Sequence, residues 1–207
     1  MGRAARVRII GGAWRRRWLP VAPVPGLRPS ADAQRETLFN WLQPLLPGAA
    51  VLDLFAGTGA LGLEAASRGA GSVLLVEKSP VAVDQLEANL RLLGAKAVTV
   101  RRADALRLLA QGPQAGGAAP FDIVFIDPPF GQCLVAPVLE RLRGGGWLAP
   151  RARVYVEQES GLPAPADWDI VRERIGGQAH GLLLVEPKDS GRAVASESTT
   201  RPREGRA

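Results

Sequence analysis

The stretch Val51-Leu52-Asp53-Leu54-Phe55-Ala56-Gly57-Thr58-Gly59-Ala60-Leu61-Gly62 is a mostly apolar run followed by three closely spaced glycines. The apolar run is typical of a buried strand in a parallel sheet. The spacing G-x-G-x-x-G between a strand and a helix is typical of a loop whose backbone binds part of a nucleotide-containing cofactor. This stretch therefore predicts a strand, a ligand-binding loop and a helix in an α/β fold.

Strand-like and helix-like segments alternate along the rest of the chain. This alternation predicts a Rossmann-like fold with a mostly parallel seven-stranded sheet and helices on both faces. We expect strands at 51–55, 72–77, 97–101, 123–127, 154–157, 168–174 and 180–186, and helices at 31–43, 60–68, 80–93, 104–110 and 134–143. For the first helix, Ser30 is the expected cap and Leu38, Leu42 and Leu45 the expected apolar stripe.

The glycine loop alone is compatible with NAD, FAD or S-adenosylmethionine, and its neighbours favour the last. Asp53 would repel a pyrophosphate but suits a ligand that carries an ammonium and a sulfonium. Glu77 ends the next expected strand, where an acid can accept hydrogen bonds from ribose hydroxyls, and Asp104 follows the third, where an adenine amine can be bound. The expected cofactor contacts are Asp53, Phe55, Ala56, Gly57, Thr58, Gly59, Glu77, Lys78, Asp104, Ala105 and Asp127.

The segment Phe125-Ile126-Asp127-Pro128-Pro129-Phe130 ends the fourth expected strand in a stiff elbow. The prolines have no N–H for the strand ladder, and each favours extended geometry in the residue before it. The Asp127 carboxylate and the Pro128 carbonyl are then two neighbouring acceptors beside the Phe130 ring, an arrangement that suits a planar group bearing an NH2. We expect Asp127, Pro128, Pro129 and Phe130 to form the catalytic segment.

Basic residues are concentrated at the start of the chain. The formal net charge is +6, and seven arginines with no acidic residue precede Asp32. Such a local excess is typical of proteins that bind a phosphate backbone. We expect Arg8, Arg15, Arg16, Arg17 and Arg28 to contact nucleic acid, and Trp14 and Trp18 lie among them either as contacts or as packing residues.

The remaining composition limits the other classes of function. No apolar run is long enough to span a membrane, and no signal peptide is evident. The single cysteine, Cys133, and single histidine, His180, leave no zinc site and no His-based catalytic triad. We therefore expect a cytoplasmic protein without a metal. We also expect a monomer.

Three regions are expected along the chain. Residues 1–29 form a basic N-terminal arm or β-hairpin with a proline-rich connector, and residues 30–187 form the catalytic domain. Residues 188–207 are polar and charged with little apolar content, which predicts a disordered tail. Residues 111–120, rich in glycine and alanine, are expected to form a mobile loop.

The glycine loop and the elbow resemble those of class I S-adenosylmethionine-dependent methyltransferases that modify exocyclic amines. More closely, the chain resembles the bacterial small-subunit (16S) ribosomal RNA guanine-N2 methyltransferases. The matching stretches are Arg8 to Gly12, Gly26 to Ser30, Arg35 to Asn40, Asp53 to Glu64, Phe125 to Phe130 and Gly146 to Leu148. This resemblance implies methyl transfer from S-adenosylmethionine to the N2 amine of a guanine in ribosomal RNA, within a small-subunit particle.

Other functions remain open at this point. The same elbow serves methylation of adenine N6 or cytosine N4 in DNA and of glutamine in proteins, although no segment is long enough for a DNA-recognition insert. A non-catalytic RNA-binding assembly factor on this fold is a further alternative. The presence of Asp53, Glu77, Asp104 and Asp127 argues against it, because a factor that only binds RNA does not need them.

Overall fold

The computed structural model describes residues 5–24, 32–116 and 120–187. The strands are β1 (Arg6–Arg8), β2 (Trp18–Pro20), β3 (Ala50–Asp53), β4 (Ser72–Glu77), β5 (Val98–Arg102), β6 (Phe121–Ile126), β7 (Leu148–Glu159), β8 (Asp169–Gly176) and β9 (Ala179–Val185). The α-helices are α1 (Asp32–Leu42), α2 (Ala60–Ser67), α3 (Pro80–Leu93), α4 (Ala105–Ala110) and α5 (Val135–Gly144), and two short 3₁₀ helices span Gly12–Trp14 and Pro113–Gly116. Ser30, Arg28 and the tail 188–207 lie outside the described residues.

The large sheet has seven strands in the order β5-β4-β3-β6-β7-β9-β8. Strands β3 to β7 pair in parallel, and β9 is antiparallel to both β7 and β8. The predicted mostly parallel seven-stranded sheet is therefore confirmed. The direction in which successive strands are added reverses between β3 and β6, and ligands of open α/β sheets bind beyond the carboxyl ends of the strands at such a point.

Both faces of the sheet are buried under helices. Val51, Leu75 and Phe125 face the side covered by α1, α2 and α3. Their neighbours Leu52 and Val76 face the other side, with the apolar residues of α4 and α5. Because successive strand residues point to opposite faces, these two-sided strands read as continuous apolar runs in the sequence.

The N-terminal strands β1 and β2 form an antiparallel hairpin that packs on the large domain. Val7, Ile9 and Leu19 are almost completely buried and belong to the same apolar cluster as α1 and α2. The hairpin is thus part of the core of the protein. The proposed division at residue 29 marks a change in composition and charge.

Polar contacts with α2 also hold the hairpin. The buried Glu64 carboxylate accepts hydrogen bonds from the backbone N–H groups of Ile10 (2.7 Å) and Gly11 (2.7 Å). Ser67 accepts from the N–H of Trp14 at 2.9 Å and donates to the carbonyl of Gly11 at 2.6 Å. A Cβ at Gly12 would lie 1.8 Å from a backbone oxygen of α2, so only glycine permits this approach.

Outside β7, the expected boundaries lie within about two residues of the observed ones. Helix α1 ends at Leu42 because Pro44 disfavours helical geometry just before it, and Leu45 is 41% exposed and lies outside the apolar stripe. Strand β7 is much longer than expected and contains a bulge with Pro150 and a left-handed Arg151 (φ 64°). A proline and arginines in a bulge interrupt the strand pattern in the sequence, which explains the shorter prediction.

Candidate active site

The glycine loop joins β3 to α2 at the carboxyl edge of the sheet. Gly57 (φ 51°) and Gly59 (φ 78°) adopt left-handed backbone geometry, which glycine reaches without strain. The Ala56 N–H donates to the carbonyl of Val76 at 2.9 Å and ties the loop to β4. Backbone groups of the loop are therefore held in place above the ends of two strands.

Asp53 lies beneath this loop. Its carboxylate is buried and accepts a hydrogen bond from the Gly62 N–H at 3.0 Å. Burial raises the pKa of Asp53 to about 7, and hydrogen bonds from the backbone of Gly62 and Phe55 oppose the rise. A cation bound above the loop would stabilise the ionised Asp53 carboxylate below it. Asp53 therefore favours a cationic ligand through its negative charge.

Glu77 ends β4 next to the loop. One carboxylate oxygen accepts from the Gly57 N–H at 3.0 Å and the other from the Ser79 N–H at 2.7 Å. A carboxylate has about four acceptor sites, so two remain for hydroxyl donors after these contacts. The Glu77 carboxylate is thus oriented by backbone and suited to a ribose diol.

Asp104 follows β5 and caps α4. Its carboxylate accepts from the Arg107 N–H at 3.0 Å, while the Ala103 N–H donates to the Glu77 carbonyl at 3.0 Å. The exposed Asp104 and the buried Ala105 are thereby fixed beside the end of β4. This position is compatible with the predicted adenine contact.

The elbow follows β6, next to β3 in the sheet. Asp127 is half-buried, Pro128 is buried, and the Phe130 side chain is 44% exposed. The Gly131 N–H after the elbow donates to the carboxylate of Glu159 on β7. The Phe130 ring therefore lies outside the apolar core and is accessible to a substrate.

Residues 7–185 match the protein family described as Conserved hypothetical protein 95. Over 178 residues, 84% of this chain and 87% of the relative, the sequence is 47% identical to ribosomal RNA small subunit methyltransferase D of Escherichia coli strain K12. The Haemophilus influenzae protein of the same name is 42% identical over 175 residues, 83% of this chain and 89% of the relative. The chain belongs to this family. The family resemblance drawn from the motifs is confirmed.

A solved structure supports the fold of the family. The Escherichia coli protein yhhF, described as a candidate methyltransferase, has a TM-score of 0.78 and 45% sequence identity to this chain. The match covers 88% of this chain and 98% of that protein. The Rossmann-like methyltransferase fold expected from the sequence is therefore confirmed.

The predicted cofactor residues lie at one edge of the sheet. Asp53, Phe55, Ala56, Gly57, Thr58 and Gly59 surround the end of β3, Glu77 and Lys78 the end of β4, Asp104 and Ala105 the end of β5, and Asp127 the end of β6. The left-handed glycines, the oriented Glu77 carboxylate and the buried Asp53 carboxylate beneath the loop together fit S-adenosylmethionine.

The arginines predicted to bind RNA differ in their surroundings. Arg15, Arg16 and Arg17 are exposed at the tip of the hairpin. Arg8 forms an ion pair with Asp32 at 2.7 Å, and its guanidinium lies 5.7 Å from the centre of the Trp18 ring. Trp18 is exposed, whereas Trp14 packs against the apolar cluster.

Three further polar residues of the sequence lie as follows. Asp122 accepts from the Ala50 N–H at 2.8 Å, at the amino end of the parallel strands and therefore away from the site. His180 is buried on β9 and lies 3.2 Å from the Glu173 carboxylate. Cys133 is exposed in the loop after the elbow.

The sequence assigned no specific role to several residues near the elbow, although it marks Glu157 as an acid near a strand end that could approach the site. Tyr155 donates a hydrogen bond to Glu157 at 2.9 Å, and both lie on β7 beside the elbow. Glu159 contacts the elbow loop from the end of the same strand. The alternation of Tyr155, Glu157 and Glu159 was the available signal, but only the register with β6 indicates what these residues face.

Proposed function

We propose that this protein transfers a methyl group from S-adenosylmethionine to the exocyclic N2 amine of a guanine in small-subunit ribosomal RNA. The observation that carries the proposal is the Asp127-Pro128-Pro129-Phe130 elbow next to the glycine loop, at the point where the strand order reverses. The names of the relatives support ribosomal RNA of the small subunit as the substrate. The choice of the guanine N2 amine rests on the motif resemblance.

The residues of the elbow orient the amine. Bound S-adenosylmethionine supplies a methyl group activated by a sulfonium. The guanine amine is a weak nucleophile because its lone pair is delocalised into the ring, so its orientation matters. Asp127 and the Pro128 carbonyl each accept one N–H and direct the lone pair, and the carboxylate stabilises positive charge that develops on nitrogen.

The other proposed site residues bind and position. Phe130 stacks on the base, an interaction worth about 1–3 kcal/mol in proteins that bind single-stranded nucleic acid. Glu77 binds the ribose hydroxyls, and Asp104 and Ala105 bind the adenine. The amine proton goes to Asp127 or to solvent, and Asp127→Asn distinguishes these routes because asparagine accepts a hydrogen bond but does not take the proton.

The hairpin provides the proposed RNA surface. Arg15, Arg16 and Arg17 are exposed together, and the exposed Trp18 ring lies beside them on β2. Arginines bind phosphates and an exposed ring can stack on a base. This surface therefore suits the part of the RNA that lies outside the active site. Arg28 is proposed to extend it but lies outside the described residues.

None of the helices in residues 5–24, 32–116 and 120–187 is long and apolar enough to cross a membrane. We propose that the protein acts in the bacterial cytoplasm, as a monomer, on RNA within a small-subunit particle.

The test is to map methylated nucleotides in ribosomal RNA from cells with and without this protein. We expect one N2-methylguanine to disappear without the protein and to return when purified enzyme and S-adenosylmethionine are added. Naked RNA and assembled small subunits are compared as substrates in the same assay. A product on adenine or cytosine, or no change at any guanine, contradicts the proposal.

A further inference from the structure

A buried polar cluster lies beside the elbow and has no part in the mechanism described above. Glu157 on β7 is only 8% exposed, and one of its oxygens accepts a hydrogen bond from the Tyr155 hydroxyl at 2.9 Å. Arg174 on β8 and Gln34 on α1 line the same cavity. Burial raises the pKa of Glu157, and the Tyr155 hydrogen bond and the Arg174 charge oppose the rise.

The register places this cluster next to Asp127. Ile126 pairs with Val156 in the parallel β6–β7 ladder, so Glu157 neighbours Asp127 at the carboxyl edge. Tyr155 and Phe125 share one face, with ring centres 6.4 Å apart. Burial and the Glu157 carboxylate raise the pKa of Tyr155, and the charge of Asp127 adds to the rise, so both carboxylates lie near this hydroxyl.

The donor and acceptor pattern of the nucleobases suggests a role for the Glu157 carboxylate. An elbow with two acceptors binds the NH2 group of guanine, adenine or cytosine alike. The ring nitrogens next to that NH2 group differ: guanine N1 carries a hydrogen, whereas adenine N1 and cytosine N3 are acceptors. An ionised carboxylate beside the elbow therefore favours guanine, because it only accepts hydrogen bonds. The Tyr155 hydrogen bond and the Arg174 charge stabilise this ionised form of Glu157.

We propose that Glu157 selects guanine by accepting the hydrogen bond of its N1–H while Asp127 and Pro128 bind the N2 amine. The inference rests on the proposed function and names the residue that determines the base. Tyr155 positions the carboxylate, and its single hydrogen bond to one oxygen leaves acceptor sites on Glu157 for the base. Removing or mismatching such a contact leaves a buried polar group unpaired, which discriminates strongly between substrates.

The test replaces the target guanine, once mapped, with 2-aminopurine in an otherwise identical RNA. This analogue keeps the N2 amine, but its N1 is an acceptor. Wild-type enzyme should methylate 2-aminopurine with a kcat/KM at least about tenfold below that for guanine. Glu157→Gln should reduce this preference about tenfold or more, because a glutamine amide can donate to the N1 of 2-aminopurine and can accept from guanine.

The matched control is Glu159→Gln on the same strand. Glu159 contacts the Gly131 N–H, so its replacement should affect the two substrates equally and leave their ratio unchanged. Equal transfer to both bases by the wild-type enzyme overturns the proposal without any variant. An unchanged ratio in a Glu157→Gln protein that still binds S-adenosylmethionine overturns it as well. If instead the wild-type enzyme forms no N2-methylguanine, the proposed function itself fails.

Discussion

The two halves of the carboxyl edge are built in different ways. The proposed cofactor half, at the ends of β3, β4 and β5, consists of a backbone loop and of acids oriented by nearby amides, such as Glu77 with Gly57 and Ser79. The proposed substrate half, at the ends of β6, β7 and β8, brings together Asp127, Glu157 and Arg174 from three separate strands. Backbone sites leave local motifs in a sequence, whereas side-chain sites depend on the strand register.

The largest expected effect separates chemistry in the substrate half from binding in the cofactor half. Asp127→Ala removes one proposed acceptor of the target amine and leaves the glycine loop and Glu77 unchanged. Methyl transfer should fall at least about a hundredfold, a usual scale for one preorganised polar group. S-adenosylmethionine affinity should stay within about tenfold, roughly 1.4 kcal/mol. Single-turnover transfer at saturating cofactor and calorimetry measure the two quantities.

Asp122→Ala is the matched control for this variant. Asp122 is an exposed acid on the same strand, but it lies at the amino end of β6. Its replacement should leave both transfer and binding near wild type. Near-normal transfer by Asp127→Ala would remove the elbow from the mechanism.

The sequence predicted the strands of the proposed cofactor half better than those of the proposed substrate half. The segment from Asp53 to Gly62 and the acid at Glu77 are continuous motifs, and their strands were placed within about two residues. In the sequence Glu157 is only an acid near a strand end that could approach the site, because the bulge in β7 hides both the strand length and the register. The buried Glu64 and the docked hairpin also depend on contacts between residues more than 50 positions apart, which no local pattern reveals.

A second prediction concerns the cofactor half alone. Glu77→Ala removes the proposed ribose acceptor and should weaken S-adenosylmethionine binding by about 1–3 kcal/mol. Because the elbow is intact, transfer at saturating cofactor should change far less than affinity. Calorimetric titration checks this, with Glu87→Ala, an exposed acid on α3, as the control. Unchanged affinity of the Glu77 variant contradicts the assignment.

A third prediction isolates RNA binding from both halves. Replacing Arg15, Arg16 and Arg17 with alanine should lower RNA affinity about tenfold and reduce the salt slope by roughly one for each phosphate that is no longer bound. Cofactor affinity should not change. Substitution is preferable to deletion of residues 1–20, because deletion removes Val7, Ile9 and Leu19 from the core. Filter binding at several salt concentrations measures the slope.

The control replaces three exposed arginines outside the hairpin, Arg91 on α3 and Arg141 and Arg143 on α5. The control protein has the same net charge as the hairpin variant. If the two variants show the same decrease in affinity and in salt dependence, RNA binding reflects overall charge, and the hairpin is not a dedicated surface.

The smallest expected effect is a pH dependence that belongs to the cofactor half. Burial raises the pKa of Asp53 to about 7, above its ordinary value of 3.8. The Asp53 carboxyl of the folded protein therefore binds its proton more tightly than in the unfolded chain. The contribution of Asp53 to stability decreases as the pH rises from its ordinary pKa of 3.8 to its folded pKa of about 7. A bound cation favours the ionised carboxylate and lowers its pKa.

Affinity for S-adenosylmethionine should consequently increase between about pH 5.5 and 7.5, by up to about tenfold, with release of a proton on binding. S-adenosylhomocysteine lacks the sulfonium charge and should show a weaker dependence. Asp53→Asn keeps an acceptor for the Gly62 N–H but cannot ionise, so its affinity should be nearly independent of pH in this range. Calorimetry in two buffers of different ionisation enthalpy measures both affinity and proton release. The proposal is contradicted if affinity decreases as the pH rises, or if the affinity of Asp53→Asn increases as much as that of the wild type. The loop then binds the ligand through its backbone and not through the buried charge of Asp53.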